Sequence, residues 1–212
     1  MAPQPTPIYR IIHLDNLPSL LRRGGLHAPN FTPDDGLPYR TIHNIDIQSE
    51  RRIRSIRLGP GGTVHDYVPF YFGYLSPMLL QLKTGRVAGY TEGQEPLIYL
   101  VSSAQAIAAE IPFVFSDGHG IAAYTGWYDN LGEQDRVDWG MVYERYWSAS
   151  VDDMDRQRRK QAEFLVYRFC PWSLIQGIAV VNDRIKQRVE VILSDFGNDM
   201  NRNVQLRPTW YY

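Results

Sequence analysis

The sequence predicts an α+β domain, and three observations carry that expectation. Short runs rich in β-branched and aromatic residues recur along the chain, as strands require. Segments with helical signals are few and do not alternate strictly with those strands, which argues against a doubly wound parallel sheet. Two long stretches, 26–65 and 116–160, show little periodicity and read as long decorated loops. The 212 residues fit a single domain spanning 1–212. A chain of this size buries roughly 70% of its unfolded surface and needs no covalent staple to fold.

The elements follow in order. Residues 8–13 (Ile-Tyr-Arg-Ile-Ile-His) form the first strand. Asp15 or Asn16 then caps a short helix carrying Leu17, Leu20 and Leu21, with Pro18 in its first turn and Gly24-Gly25 as its stop. Arg51, Arg54 and Arg57 recur every three residues, so a helical turn would align them on one side. Residues 68–72 form a strand, and Ser76-Pro77 opens a helix. Residues 97–101 are an apolar run fit for a buried strand, and Ser102 or Ser103 caps a helix over 104–110. Strands follow at 113–115, 164–169 and 177–181, then a helix at 183–193 and a last strand over 204–212. The sum is six or seven short strands with few helices.

Composition excludes several functions. Lys and Arg number 22 against 23 Asp and Glu, for a net charge of -1, so any nucleic-acid site must be a local basic patch. Cys170 is the only cysteine, which excludes an internal disulfide and an all-thiolate zinc site. The histidines lack metal-ligand spacing, and no acidic cluster suits a metal-dependent nuclease, so no metal is expected. No apolar run approaches the roughly 18 residues of a membrane span. The first residues are polar and proline-rich rather than secretory, so the expected compartment is cytoplasmic. Gly-x-Gly-x-x-Gly, Walker-A and Gly-x-Ser-x-Gly patterns are all missing.

The chemistry concentrates in a few places. Glu163 stands at the threshold of an apolar strand, directly after the basic run 156–160; on residue type alone it reads more readily as a surface carboxylate paired with a neighbouring arginine. His13 ends a strand and precedes a tight turn, where a structural histidine is the plain alternative. Arg51 and Arg54 form one basic patch, and Arg156, Arg159 and Lys160 belong to a second. Arginine forks suit phosphates, so these five are candidate nucleic-acid contacts, with a solvated face as the alternative. Aromatic residues such as Trp127, Tyr128, Trp139, Tyr143, Tyr146 and Trp147 lie close to the second patch, as a stacking platform for unpaired bases or as ordinary packing.

Taken in order, Tyr9-Arg-Ile-Ile-His13-Leu-Asp-Asn16, the element around Arg51, Pro69-Phe-Tyr71-Phe72 and Gln161-Ala-Glu163-Phe-Leu resemble the DarT family, the DNA ADP-ribosyltransferase toxins of DarT–DarG toxin–antitoxin systems. The resemblance runs from Ile8 to the last strand. It implies an ADP-ribosyltransferase fold, a split β-sandwich holding NAD+ in its cleft. It implies NAD+ contacts from His13, Leu14, Asp15, Asn16, Arg51 and Tyr71, a segment from about 35 to 53 folded over the dinucleotide, and a loop from about 119 to 160 that presents the nucleic acid. Glu163 would be the catalytic glutamate, and Arg51 would serve the loss of the thymine N3 proton by stabilising the charge that develops on N3 or O4. The implied acceptor is thymine N3 in single-stranded DNA, and the implied protein partner is a DarG-type macrodomain antitoxin. Guanine, RNA or protein as acceptor, and a non-catalytic single-strand-binding module, are the competing expectations.

Overall fold

The computed structural model describes residues 1–212. In chain order its elements are β1 (Pro7–His13), α1 (Leu17–Arg22), β2 (Gly25–His27), α2 (Ile45–Ile53), β3 (Tyr67–Tyr71), α3 (Pro77–Lys83), β4 (Leu97–Ser103), α4 (Ala104–Ala108) and β5 (Phe113–Ser116). There follow β6 (Trp127–Tyr128), α5 (Trp139–Tyr143), α6 (Arg156–Arg159), β7 (Glu163–Tyr167), β8 (Phe169–Pro171), β9 (Gly177–Val180), α7 (Asp183–Asp195) and β10 (Asn203–Leu206). This is the mixed α+β architecture expected.

Eight strands join in the order β10-β9-β4-β1-β3-β7-β5-β6, and β2 pairs with β8 in a separate ribbon. The large sheet is split. β1 is registered with β4 along all of Pro7–His13, and β3 with β7 along all of Tyr67–Tyr71. Between β1 and β3 only Tyr9 and Tyr71 are registered. A cleft opens where that pairing stops. Apolar side chains on either side hold the halves together, Phe70, Phe72, Phe164 and Ile12 in one cluster and Tyr9, Leu79, Tyr99 and Tyr211 in another. No helix is long and apolar enough to cross a membrane.

Several local expectations change. Neither Asp15 nor Asn16 caps α1 through its side chain; a 3-10 turn, Leu14–Asn16, intervenes, and His13 Nδ1 accepts the Asp15 N–H at its start. The strand expected over 164–169 begins at Glu163 and ends at Tyr167, because Arg168 adopts φ 60° and sends Phe169 into the ribbon with β2. The last strand stops at Leu206, since Pro208 starts a 3-10 turn and has no N–H for a ladder. The arginine row does not form. α2 ends at Ile53 and Arg54 turns extended, so Arg54 and Arg57 leave the helical face that Arg51 occupies. The stretch 116–160 contains β6, α5 and α6 rather than a bare loop.

Candidate active site

β3 and β7 place Tyr71 directly opposite Glu163. Opposed residues on antiparallel strands share a face, so both side chains point into the cleft. The Glu163 N–H donates to Ser116 Oγ at 3.2 Å, and that hydroxyl donates to the Gly118 carbonyl at 2.7 Å. The strand end is thereby tied to the loop after β5.

Arg51 reaches the same place from the last turn of α2. Its Nη1 donates to Glu163 Oε1 at 2.9 Å and its Nη2 to Oε2 at 2.8 Å, a planar two-bond pair. Both side chains are buried, 9% and 2% exposed, so the pair is screened little by water. The Gly120 N–H adds a third donor to Oε1 at 3.3 Å. A Cβ at Gly120 would lie 3.2 Å from the Trp127 ring and 3.4 Å from Oε1, so glycine lets the backbone approach this closely. Burial pushes the Glu163 carboxyl up, but attraction to Arg51 and the hydrogen bonds from it outweigh that, and the net shift is below the usual carboxylate range. Burial also pushes the Tyr71 phenol up to about 12, with the Glu163 charge adding to the effect. His119, beside the pair, is held below the usual histidine range by burial, against the pull of Glu163.

The pair lies in the wall of a cavity of about 360 Å³. Tyr71, Met78, His43, His65, His119 and Gln161 line it, as does Arg10. Arg10 crosses the split and donates from Nη1 to the Pro69 carbonyl at 3.1 Å. Its Nε is buried without a partner. One signal for Arg10 stood in the sequence, a cation inside an otherwise apolar strand; His119 had only its place between two glycines.

Residues 29–53 cover the cavity, supplying Pro29, Thr32, Tyr39, Ile42, His43, Asn44, Ile47, Gln48 and Arg51. The cover is latched to α1 and its preceding turn. Asn16 Nδ2 donates to the Arg40 carbonyl at 2.8 Å, and the Arg40 N–H donates to Asn16 Oδ1 at 2.6 Å. Ser19 Oγ donates to the Pro38 carbonyl at 2.7 Å, and Arg23 makes a two-bond pair with Asp35 at 2.8 and 2.6 Å.

The structure thus brings Arg51, Tyr71 and Glu163 together. His13, Leu14, Asp15 and Asn16 do not line that cavity. His13 is buried, with Nδ1 accepting from the Asp15 N–H at 3.1 Å and Nε2 without a hydrogen-bond partner. Leu14 is core, and Asp15 faces Arg40 at 3.1 Å.

The basic patches are rearranged as well. Arg54 Nη2 donates to the Ala122 carbonyl at 2.9 Å. Arg156 donates to the Tyr146 carbonyl at 2.6 Å. Arg159 is paired with Asp138 and Asp153. Lys160 corrects an expectation: it is buried, and its ammonium donates to the Val142 and Glu144 carbonyls at 2.7 and 2.6 Å, so it presents no charge to a phosphate. Of the nearby aromatics, Trp139 is core and Tyr128 and Tyr143 pack against it, whereas Tyr146 is exposed. The Cys170 thiol is pushed up to about 12 by burial and is inert.

No group of His, Cys, Asp and Glu side chains is placed to hold a metal ion. A family model described as "DarT: ssDNA thymidine ADP-ribosyltransferase, DarT" matches residues 9–212. A DNA ADP-ribosyl transferase of Thermus sp. (strain 2.9) is 43% identical over 211 residues, covering 99% of this chain and 98% of that one. Thermus sp. 2.9 DarT in complex with ADP-ribosylated ssDNA superposes with a TM-score of 0.93 at 42% identity, over 100% of this chain and 99% of the other. Thermus sp. 2.9 DarT in complex with NAD+ gives 0.89 at 41% identity, over 100% of both. The split sheet is therefore the ADP-ribosyltransferase fold. The chain belongs to the DarT family and is an NAD+-dependent ADP-ribosyltransferase of single-stranded DNA.

Proposed function

We propose that the chain moves ADP-ribose from NAD+ to N3 of thymine in single-stranded DNA, with Glu163 and Arg51 as the catalytic pair and Tyr71 in the wall beside them. The buried two-bond pair in a cavity wall carries this reading. The cavity suits an anionic dinucleotide, because Arg10 lines it with a buried Nε–H that no protein group satisfies. Arg10 and the histidines supply donors for phosphate and ribose oxygens, and the segment 29–53 excludes water.

NAD+ supplies a ribose carbon whose bond to nicotinamide breaks to leave a neutral base. Positive charge develops on the ribose as that bond lengthens, as in glycoside hydrolysis. Glu163, ionised at neutral pH, accepts a hydrogen bond from a ribose hydroxyl and stabilises that charge. Arg51 stays protonated and is no base, its pKa being raised further by Glu163. It instead donates to the negative charge that develops on thymine O4 and N3. The N3 proton leaves to Glu163 or to water, the new bond forms between N3 and the ribose carbon, and nicotinamide and one proton are released. An unpaired strand presents the base without unstacking a duplex. A DarG-type macrodomain that reverses the modification is the partner this reading implies.

The test is incubation with NAD+ and short oligonucleotides, single- and double-stranded, DNA and RNA, followed by mass spectrometry. One added ADP-ribose on thymine-bearing single strands, lost in Glu163→Ala, supports the reading. Modification of guanine, RNA or protein instead moves the acceptor. DNA binding indifferent to NAD+ and to Glu163, with no adduct, overturns it.

A further inference from the structure

Within the chain the Glu163 carboxylate is already engaged. Oε1 accepts from Arg51 and Gly120, and Oε2 accepts from Arg51. A carboxylate has about four lone-pair directions, so roughly one remains for a ribose hydroxyl. The guanidinium also cancels most of the negative charge that would steady a cationic ribose. Charge developing in the reacting sugar is stabilised by whatever net charge faces it, and in this low-dielectric wall the pair is nearly neutral.

The element that delivers Arg51 is weakly anchored. Arg51 is the one buried residue of α2, whereas Ile45 and Ile53 are 69% and 78% exposed. The further ties are polar: the Val64 N–H donates to the Arg54 carbonyl at 3.0 Å, Arg54 Nη2 donates to the Ala122 carbonyl, and Gln48 meets His65 at 3.1 Å. Elements held by few apolar contacts open at low free energy. Arg51 is therefore able to withdraw from Glu163 once it is offered another anion.

We propose that the Arg51–Glu163 pair is a catch that suppresses a latent NAD+ hydrolase activity until the DNA base arrives. The inference rests on the transfer reading above and adds the choice between two acceptors, water and thymine. In the latent reaction a water oxygen bonds to the ribose carbon, the bond to nicotinamide breaks with its electrons leaving on nicotinamide, and the water proton passes to Glu163 and then to solvent. The products are free ADP-ribose, nicotinamide and one proton. In the coupled reaction the developing charge on the base draws Arg51 away, Glu163 recovers its negative charge, and cleavage occurs only when the correct acceptor is in place.

The experiment measures nicotinamide release from NAD+, with and without a thymine-bearing single strand, for the wild type, Arg51→Met, Arg51→Lys and the double variant Arg51→Met/Glu163→Gln. Wild type should release nicotinamide at least about tenfold faster with the strand, with the ADP-ribose recovered on DNA. Arg51→Met should lose DNA modification yet hydrolyse NAD+ without DNA about tenfold faster than wild type. The double variant should abolish that hydrolysis, which assigns it to Glu163. A folded, NAD+-binding Arg51→Met no faster than wild type in the absence of DNA overturns the catch. Should Arg51→Met fail to fold, Arg51→Lys, with one donor in place of the fork, and the wild-type comparison decide. Equal wild-type release with and without the strand, while DNA is still modified, also overturns it. Wild type that modifies no DNA under any condition overturns the transfer reading itself.

Discussion

Tyr9 and Tyr71 form the one registered pair between β1 and β3, and Tyr71 is in turn opposite Glu163. Three neighbouring strands therefore place Tyr9, Tyr71 and Glu163 in a row across the middle of the sheet. Past that row β1 and β3 separate, and the gap becomes the cavity that Arg10 bridges. Glu163, the proposed catalytic residue, thus stands at the edge of the opening, where a ligand can reach it, while its backbone stays inside a hydrogen-bonded ladder.

On the proposed function, Tyr71 contributes through its ring rather than its hydroxyl. Its phenol is pushed up to about 12, so it stays protonated at any working pH, and its hydroxyl meets only Met78 Sδ, at 3.7 Å. Tyr71→Phe should keep activity within about threefold, whereas Tyr71→Ala removes a packed aromatic wall and should lose more than about tenfold. Steady-state rates on a thymine-bearing single strand check both.

Glu163→Gln keeps the shape and removes the charge. Transfer should fall by at least about a hundredfold, the scale of losing one transition-state stabiliser. Arg51 is then left buried opposite a neutral amide, which should destabilise the fold by on the order of 3 kcal/mol. Chemical denaturation measures that loss. The carboxyl is held low in the folded state, so its contribution to stability is present above the unfolded carboxylate range and is lost as pH falls through the folded value. Wild type should therefore lose more stability than Glu163→Gln on acidification below about pH 4.

Lys160 titrates in the opposite sense. Burial lowers it to about 8, so between about 8 and the unfolded lysine range the unfolded chain binds more protons than the folded one. Stability contributed at this site should rise with pH across that window. Lys160→Met lacks the group, so wild type should gain on the variant from about pH 8 to about pH 10. Unfolding midpoints of both proteins at several pH values give the difference directly. A constant difference would refute the buried-ammonium reading.

Asn16 latches the cover without touching the cavity. Asn16→Ala removes both bonds to the Arg40 backbone. The cover should then close less often, raising KM for NAD+ by about tenfold with a smaller change in kcat. Initial rates against NAD+ concentration separate the two.

Much of this was legible in the sequence, and the rest failed for identifiable reasons. Strand runs such as residues 97–101 and the Ser76-Pro77 helix start carry local signals that tertiary packing did not override. Glu163 and Tyr71 were visible as site residues only through the family resemblance, since residue type alone leaves Glu163 a plain surface reading and gives Tyr71 no role. The partner of Glu163 was not, since Arg51 lies 112 residues away and pairing at that distance leaves no local trace. The spacing of Arg51, Arg54 and Arg57 misled because α2 ends two residues after Arg51. Lys160 misled because a basic run reads as a solvated face, while here it sits against the carbonyls at the end of α5. The breaks at Arg168 and after Leu206 depend on a single left-handed residue and on Pro208.

The most direct test uses two single strands that differ at one thymine, natural in one and N3-methylated in the other, incubated with wild type and NAD+ and read by tandem mass spectrometry. Transfer to N3 predicts one ADP-ribose on the natural base and none on the methylated one. Equal modification of both strands would contradict it and place the new bond on another atom.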